Sequence, residues 1–258
     1  MEIRHRLPVR QENWPTSGKV KTLSMSLPRR LTALHQIEIT SRCNLRCVYC
    51  PSPKLERPKI DMSQQHFSKA LSWVKRFVDA GTQRELNLAG IGESTLHPDF
   101  VSYVKEAREV LGSSLPFVLA TNGVGYGQEL VDAIKPFHPQ VYVSLHRPEK
   151  AALAAKLWSD AKLLIGVSTD PTNNAMNWAG QVDWIDTQVE NFPCMWIRQG
   201  MAMVMADGRI TQCCYDASGK GVIAHIDDDP ADVKCKPYEL CKTCHQQIEI
   251  EGYDQHGG

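Results

Sequence analysis

Apolar and polar residues alternate over residues 34–40, where Leu34, Ile37 and Ile39 are interspersed with His35, Gln36 and Glu38. That spacing predicts a β-strand. The period then changes. Ser63 stands at an N-cap position, and Phe67, Ala70, Leu71, Val74, Phe77 and Val78 recur at helical spacing until Gly81 stops the run. Residues 85–90 predict a second strand. His97-Pro98-Asp99 opens a second helix, with proline early and an acid in the first turn, and its apolar positions are Phe100, Val101, Val104, Ala107 and Leu111. Residues 116–121 predict a third strand, 128–135 a short helix and 140–145 a fourth strand. An Ala-rich helix over 149–158 and a fifth strand over 162–168 follow. Strand and helix thus alternate five times, which predicts βαβ units, a parallel sheet and the α/β class. A sixth strand is placed at 182–185, where the pattern is poorest.

Composition narrows the class. The chain has 258 residues, zero formal net charge and 42% hydrophobic residues, enough for one or two domains with a sizeable core. No stretch approaches the roughly 20 apolar residues of a membrane helix, and the first residues contain no apolar run of a secretory signal. Nine cysteines are an odd number, and they cluster at metal-like spacings. Both facts argue against a disulfide framework and for a reduced, cytoplasmic protein.

Charge is uneven. Residues 1–33 carry seven Lys/Arg against Glu2 and Glu12, whereas residues 216–258 carry nine Asp/Glu against four Lys. Residues 1–33 also contain Pro8, Pro15 and Pro28 and no clear period, so they read as an irregular basic arm, solvated or docked on the acidic end. Neutral overall charge leaves no electrostatic footprint for nucleic acid.

Chemistry begins at Cys43-Asn44-Leu45-Arg46-Cys47-Val48-Tyr49-Cys50. A tetrahedral zinc site takes four ligands, which three thiolates on one loop do not supply. Three thiolates do hold three irons of a [4Fe–4S] cluster and leave the fourth open. On the residues alone, structural thiols or half of a zinc site remain alternatives. C-x3-C-x2-C with an aromatic before the last cysteine resembles the signature of the radical S-adenosylmethionine (SAM) superfamily, matched at Cys43, Cys47, Tyr49 and Cys50. The resemblance implies that the open iron chelates the amino and carboxylate groups of SAM. It implies cleavage of SAM to a 5′-deoxyadenosyl radical, hydrogen abstraction from a substrate, and an external one-electron reductant of flavodoxin or ferredoxin type. Tyr49 would lie near the adenine. The fold implied is a partial (β/α)6 TIM-like barrel over 34–190.

Loops at the C-terminal ends of parallel strands are where chemistry collects in such folds. Gly90-Ile91-Gly92-Glu93 follows the second strand; on the residues alone it is a tight turn before a helix. It is similar to the family's Gly-Gly-Glu motif, which holds the SAM amino group, with Ile91 in place of the first glycine. Thr121-Asn122-Gly123 follows the third strand, either as an ordinary Asn-Gly turn or, by resemblance, near the SAM ribose or carboxylate. After the fourth strand, Ser144 is a candidate for SAM, and His146 or Arg147 for substrate.

Six more cysteines lie between 194 and 244. Residues 201–212 read as a β-hairpin turning at Asp207-Gly208, which brings Cys194 and Cys213 towards each other. Cys241-Lys242-Thr243-Cys244 supplies two further thiols. A four-cysteine zinc knuckle is one reading. C-x13-G-x4-C at Cys194, Gly208 and Cys213 resembles the SPASM or shorter twitch extension of radical SAM enzymes, placed here at 191–258. That resemblance implies one auxiliary [4Fe–4S] cluster on Cys194, Cys213, Cys241 and Cys244, with Cys214 and Cys235 spare. The expected function is a radical SAM oxidoreductase acting on a small molecule or a peptide. The auxiliary cluster would accept an electron or position the substrate. A peptide maturase, and a non-catalytic iron–sulfur or zinc-binding carrier or scaffold, are the alternatives.

Overall fold

A computed structural model describes residues 29–47, 50–144, 156–158, 162–164, 181 and 195–244. Its frame is one eight-stranded sheet, and each strand of the parallel part follows a local apolar run. After a two-residue strand β1 (Arg29–Arg30), the chain enters β2 (Ala33–Ile37), whose Leu34 and Ile37 are fully buried. β3 (Leu86–Leu88), β4 (Phe117–Thr121), β5 (Gln140–Ser144) and β6 (Lys162–Leu164) then add in chain order, each parallel to the one before. The expected parallel α/β sheet is therefore present, with strands shorter than the alternation suggested.

Helices α1 (Gln64–Asp79), α2 (Phe100–Leu111) and α3 (Gln128–Ile134) connect the strands. Ser63 caps α1 by accepting the His66 N–H at 3.2 Å. Phe67, Ala70, Leu71, Trp73, Val74 and Phe77 form its buried face, and Gly81 leaves the helix with φ of 71°. Phe67 stacks on Tyr103 of α2, ring centroids 4.1 Å apart. The start of α2 differs from expectation. The helix begins after Asp99, has no acid in its first turn, and Asp99 offers no side-chain cap. His97 takes that place: its Nδ1 accepts the Asp99 N–H at 3.0 Å.

The other edge of β2 carries a strand from far along the chain. After the short helix α4 (Met195–Gln199), β7 (Met201–Val204) runs parallel to β2, with Ala33 opposite Met201 and Ile37 opposite Val204. β8 (Arg209–Thr211) and β9 (Val222–His225) follow antiparallel. The hairpin read at 201–212 exists, and its first arm is also a strand of the main sheet. One sheet thus crosses the 190/191 boundary drawn from sequence. The strand expected at 182–185, most of the helix at 149–158, and residues 1–28 of the basic arm lie outside the described residues. β1 pairs with β10 (Lys234–Cys235), so the end of that arm docks by backbone bonds on the C-terminal part.

Glu38 follows β2 and is completely buried. Its Oε2 sits 2.8 Å from Nη2 of buried Arg57 and accepts the Ile91 N–H at 3.0 Å, while Oε1 accepts the Ala206 N–H at 3.1 Å. Arg57 Nε donates to the Ala217 carbonyl at 2.6 Å. Five segments thus meet on one ion pair. Arg57→Met would strand an ionised carboxylate in the core and is expected to destabilise the protein by about 3–5 kcal/mol. The double variant Glu38→Gln/Arg57→Met, with no charge left to strand, should unfold at higher urea than Arg57→Met alone.

Candidate functional site

The loop that carries Cys43, Cys47 and Cys50 leaves the sheet at the C-terminal end of β2 and is closed at its base. Ser41 N–H donates to the Ile60 carbonyl at 2.9 Å, Met62 N–H to the Ile39 carbonyl at 2.7 Å, and Ile60 N–H to Ser41 Oγ at 2.8 Å. Residues 42–59 therefore form an excursion held at both ends, a geometry common at functional loops. Among the described residues, Pro51, Pro53 and Pro58 limit its helical content to the single 3-10 turn Ser52–Lys54.

Within the excursion the sulfurs are oriented by backbone donors. Leu45 N–H points at Cys43 Sγ (3.4 Å) and Ser52 N–H at Cys50 Sγ (3.4 Å). Cys50 N–H donates to the Cys47 carbonyl at 3.1 Å, a tight turn that keeps this pair together. Burial pushes the Cys43 thiol up and the Cys50 thiol up to about 12; Cys47 adds to both shifts and Cys43 to that of Cys50. Three half-buried cysteines on one loop, two of them with N–H donors on their sulfurs, fit the three protein ligands of a [4Fe–4S] cluster. Because burial favours the neutral thiol at Cys43 and Cys50, cluster loading must release protons there. Tyr49 lies outside the described residues. Among the described residues no three His, Cys, Asp or Glu side chains converge on a single ion.

The loop after β3 presses against the root of this excursion. A Cβ on Gly92 would stand 2.2 Å from the Thr40 carbonyl oxygen and 2.6 Å from that of Arg42, so only glycine admits the approach. Gly90 meets the same constraint at Glu38, where a Cβ would lie 2.3 Å from Cγ. Glu93 N–H donates to the Arg42 carbonyl at 2.8 Å.

The Glu93 carboxylate is 3% exposed. Oε1 accepts from Thr95 Oγ1 and Thr121 Oγ1, both at 2.7 Å, and Oε2 accepts the Asn122 N–H at 2.7 Å. Burial raises its pKa, and these bonds oppose the rise. Two strong donors saturate Oε1, whereas Oε2 keeps an acceptor direction for one further donor. Thr121 also accepts the Gly123 N–H and bonds Tyr126, whose hydroxyl accepts from Trp158 Nε1 at 3.2 Å.

Asn122 braces the cysteine loop. Its Nδ2 reaches Asn44 Oδ1 at 2.9 Å and Cys43 Sγ at 3.8 Å, and its Oδ1 accepts the Val124 N–H at 2.9 Å. Gly92, Glu93, Thr121 and Asn122 therefore form one network with Cys43. Ser144 ends β5 at the same edge of the sheet and is 9% exposed. His146 and Arg147 lie outside the described residues. Sequence reasoning missed Asn44, Tyr126, Glu38 and Arg57. Only Glu38, an acid between Ile37 and Ile39, carried a visible signal.

In the C-terminal part, Cys213 is partly buried and its pKa lies well above the usual thiol value, through its hydrogen bond with Cys214 and through burial. Tyr215 N–H points at its Sγ (3.3 Å), the i+2 pattern already seen at Cys43 and Cys50. Cys241 and Cys244 share a turn in which the Cys244 N–H donates to the Cys241 carbonyl at 3.3 Å. Cys213, Cys241 and Cys244 all act electrostatically on Tyr238, which places them in one neighbourhood. Cys235 stands apart: it is fully buried among the apolar core residues, and its thiol is pushed up to about 11 by burial. Cys194 lies outside the described residues. None of the eight described cysteines is disulfide-bonded, and among the described residues no helix is long and apolar enough to cross a membrane.

The sequence model of the radical SAM superfamily matches residues 37–159. The tungsten-containing aldehyde ferredoxin oxidoreductase cofactor-modifying protein of Pyrococcus furiosus is 34% identical over 95 residues, 37% of this chain and 25% of that protein. The GTP 3′,8-cyclase of Paenarthrobacter nicotinovorans is 36% identical over 107 residues, 40% of this chain and 28% of that protein. The match thus spans only about a quarter of the length of these relatives. Among solved structures, BtrN in complex with AdoMet and 2-DOIA superposes with a TM-score of 0.61 at 19% identity, covering 77% of this chain and 79% of that one. Histidine-tagged anSMEcpe with bound AdoMet gives 0.51 at 14% identity, covering 77% and 75%. At these identities the likeness is one of fold.

The raised pKa of Glu93 sets a sign. The folded apoprotein binds the Glu93 proton more tightly than the unfolded chain does. This contribution is therefore greatest below the unfolded value of about 4.3 and is lost as pH rises through the folded value. Urea unfolding of the apoprotein should show stability falling with pH in that window, and Glu93→Gln should flatten the slope.

Proposed function

We propose, from the match of the radical SAM superfamily model to residues 37–159, that this chain is a radical SAM oxidoreductase with a second, auxiliary cluster. Cys43, Cys47 and Cys50 hold the first [4Fe–4S] cluster. With SAM bound, that cluster supplies the one-electron cleavage that generates a 5′-deoxyadenosyl radical. Cys213, Cys241 and Cys244, with Cys194, hold the auxiliary cluster, and Cys214 and Cys235 are left over.

The observation that carries this reading is the joining of two oriented cysteine groups on one sheet. The Arg57 that pairs with Glu38 beneath the first group also bonds Ala217, four residues beyond Cys213. The protein's own part is positioning and exclusion of water. Glu93 Oε2 offers its remaining acceptor direction to the SAM ammonium, while Thr121 and the Asn122 N–H hold the carboxylate in place. Gly92 lets that loop lie flush on the cysteine excursion. Asn122 fixes Cys43 through its Nδ2. Ser144, at the end of β5, and Tyr49, by its place in the cysteine motif, complete the SAM site.

The substrate is a small molecule or a peptide, and a flavodoxin- or ferredoxin-like protein delivers the electron. BtrN, whose fold this chain shares, is solved with AdoMet and 2-DOIA, which supports the small molecule. With both clusters and SAM bound, hydrogen abstraction would leave a substrate radical, and loss of one electron to the cluster held by Cys213, Cys241 and Cys244, with a proton to solvent, would complete a two-electron oxidation.

Iron and sulfide content after anaerobic reconstitution tests the reading. Wild type should hold about eight irons, and the variant Cys43→Ala/Cys47→Ala/Cys50→Ala about four, with SAM cleavage abolished. About four irons in wild type, all lost in the variant, with zinc retained, would leave a radical SAM enzyme with a structural C-terminus and no internal electron acceptor.

A further inference from the structure

Tyr238 precedes the single turn of 3-10 helix that carries Cys241 (Glu239–Thr243). Its carbonyl accepts the Cys241 N–H at 2.9 Å, which fixes its ring at the start of the Cys241–Cys244 turn. The hydroxyl end of the ring lies on Gly221, where a Cβ would stand 2.4 Å from Cζ. Gly221 is bonded to both sides of the Cys213 loop. Its carbonyl accepts the Gln212 N–H at 3.0 Å, and its N–H donates to Asp216 Oδ2 at 2.7 Å. The phenol therefore bridges the segment of Cys213 and the segment of Cys241 and Cys244.

The hydroxyl oxygen is buried and has no hydrogen-bond partner among the described residues. A buried hydroxyl left unsatisfied forfeits its hydration with nothing in return, so the site calls for an acceptor. Asp216 is not its acceptor, since the hydroxyl has no partner among the described residues; Asp216 instead takes Thr211 Oγ1 and the Gly221 N–H on Oδ2 and the Lys220 N–H on Oδ1 at 2.8 Å. Cys213, Asp216, Cys241 and Cys244 surround the phenol closely enough that, after burial itself, their charges add to the rise in its pKa.

We propose that the Tyr238 hydroxyl donates a hydrogen bond to the sulfur of a cluster held by Cys213, Cys241 and Cys244, and that this bond sets the cluster's reduction potential. The proposal rests on the auxiliary-cluster reading above. An O–H aimed at electron-rich sulfur stabilises the reduced, more negative form, so it raises the potential. Tyr238 is thus a positioning and tuning residue that makes the C-terminal cluster the better electron acceptor of the two.

The test uses the full chain, reconstituted anaerobically, as wild type and as Tyr238→Phe, which keeps the ring on Gly221. Both should hold about eight irons. In a redox titration followed by EPR, the variant's C-terminal cluster should be about tenfold harder to reduce, about 59 mV for one electron. The midpoint of the first cluster should not move. Pulsed EPR of the reduced wild type exchanged into D2O should show a deuteron coupled to the C-terminal cluster beyond that of the Tyr215 N–H, and the variant should keep only the latter. An unmoved midpoint with eight irons present overturns the proposal and leaves the two-cluster reading standing. About four irons in wild type, all lost with Cys43, Cys47 and Cys50, overturns both. Should the variant fail to load, absence in wild type of any exchangeable coupling beyond that of the Tyr215 N–H overturns the proposal by itself.

Discussion

The buried pair of Glu38 and Arg57 is the constraint on which the rest of the structure depends. A carboxylate with no exposure survives in a protein core only when charge and hydrogen bonds both compensate it. Here Arg57, the Ile91 N–H and the Ala206 N–H together do so. Each partner comes from a different segment: the cysteine excursion, the loop after β3 and the turn after β7. Misplacing any one of them leaves a charge or a donor unsatisfied, so the pair fixes three loops against the end of β2. It also forbids a side chain at Gly90.

A second network stands on that base and faces the chemistry. Glu93 is held by Thr95, Thr121 and Asn122, and Asn122 in turn holds Asn44 and Cys43. Backbone N–H groups fix the sulfurs of Cys43, Cys50 and Cys213 by the same i+2 bond. The site is therefore preorganised from its polar groups outward, and a cofactor entering it meets groups already oriented. Exposed ion pairs between α1 and the turn before β10, Lys69 with Asp227 and Arg76 with Asp229, add only a weak outer contact between the two halves. The shared sheet and Arg57 supply the strong one.

Sequence by itself determined what short-range signals encode. Ser63, Gly81 and the 3.6-residue stripe between them defined α1 because caps and periodicity are local. Short apolar runs located β2 to β5, and the C-x3-C-x2-C spacing marked the chemistry because three thiols on one loop have few uses. Glu38 shows where that reading stopped. Alternation put it on a polar face, yet β2 and its continuation are the centre of a parallel sheet and are buried on both sides, where alternation loses its meaning. Only the tertiary structure decided that Glu38 would meet Ala206, 168 residues away. It alone put β7 beside β2, Asn122 against Cys43, and the Tyr238 hydroxyl over Gly221. Such contacts join residues whose separation in the chain leaves no periodic trace, and they are fixed by burial and by the need to pair every buried polar group.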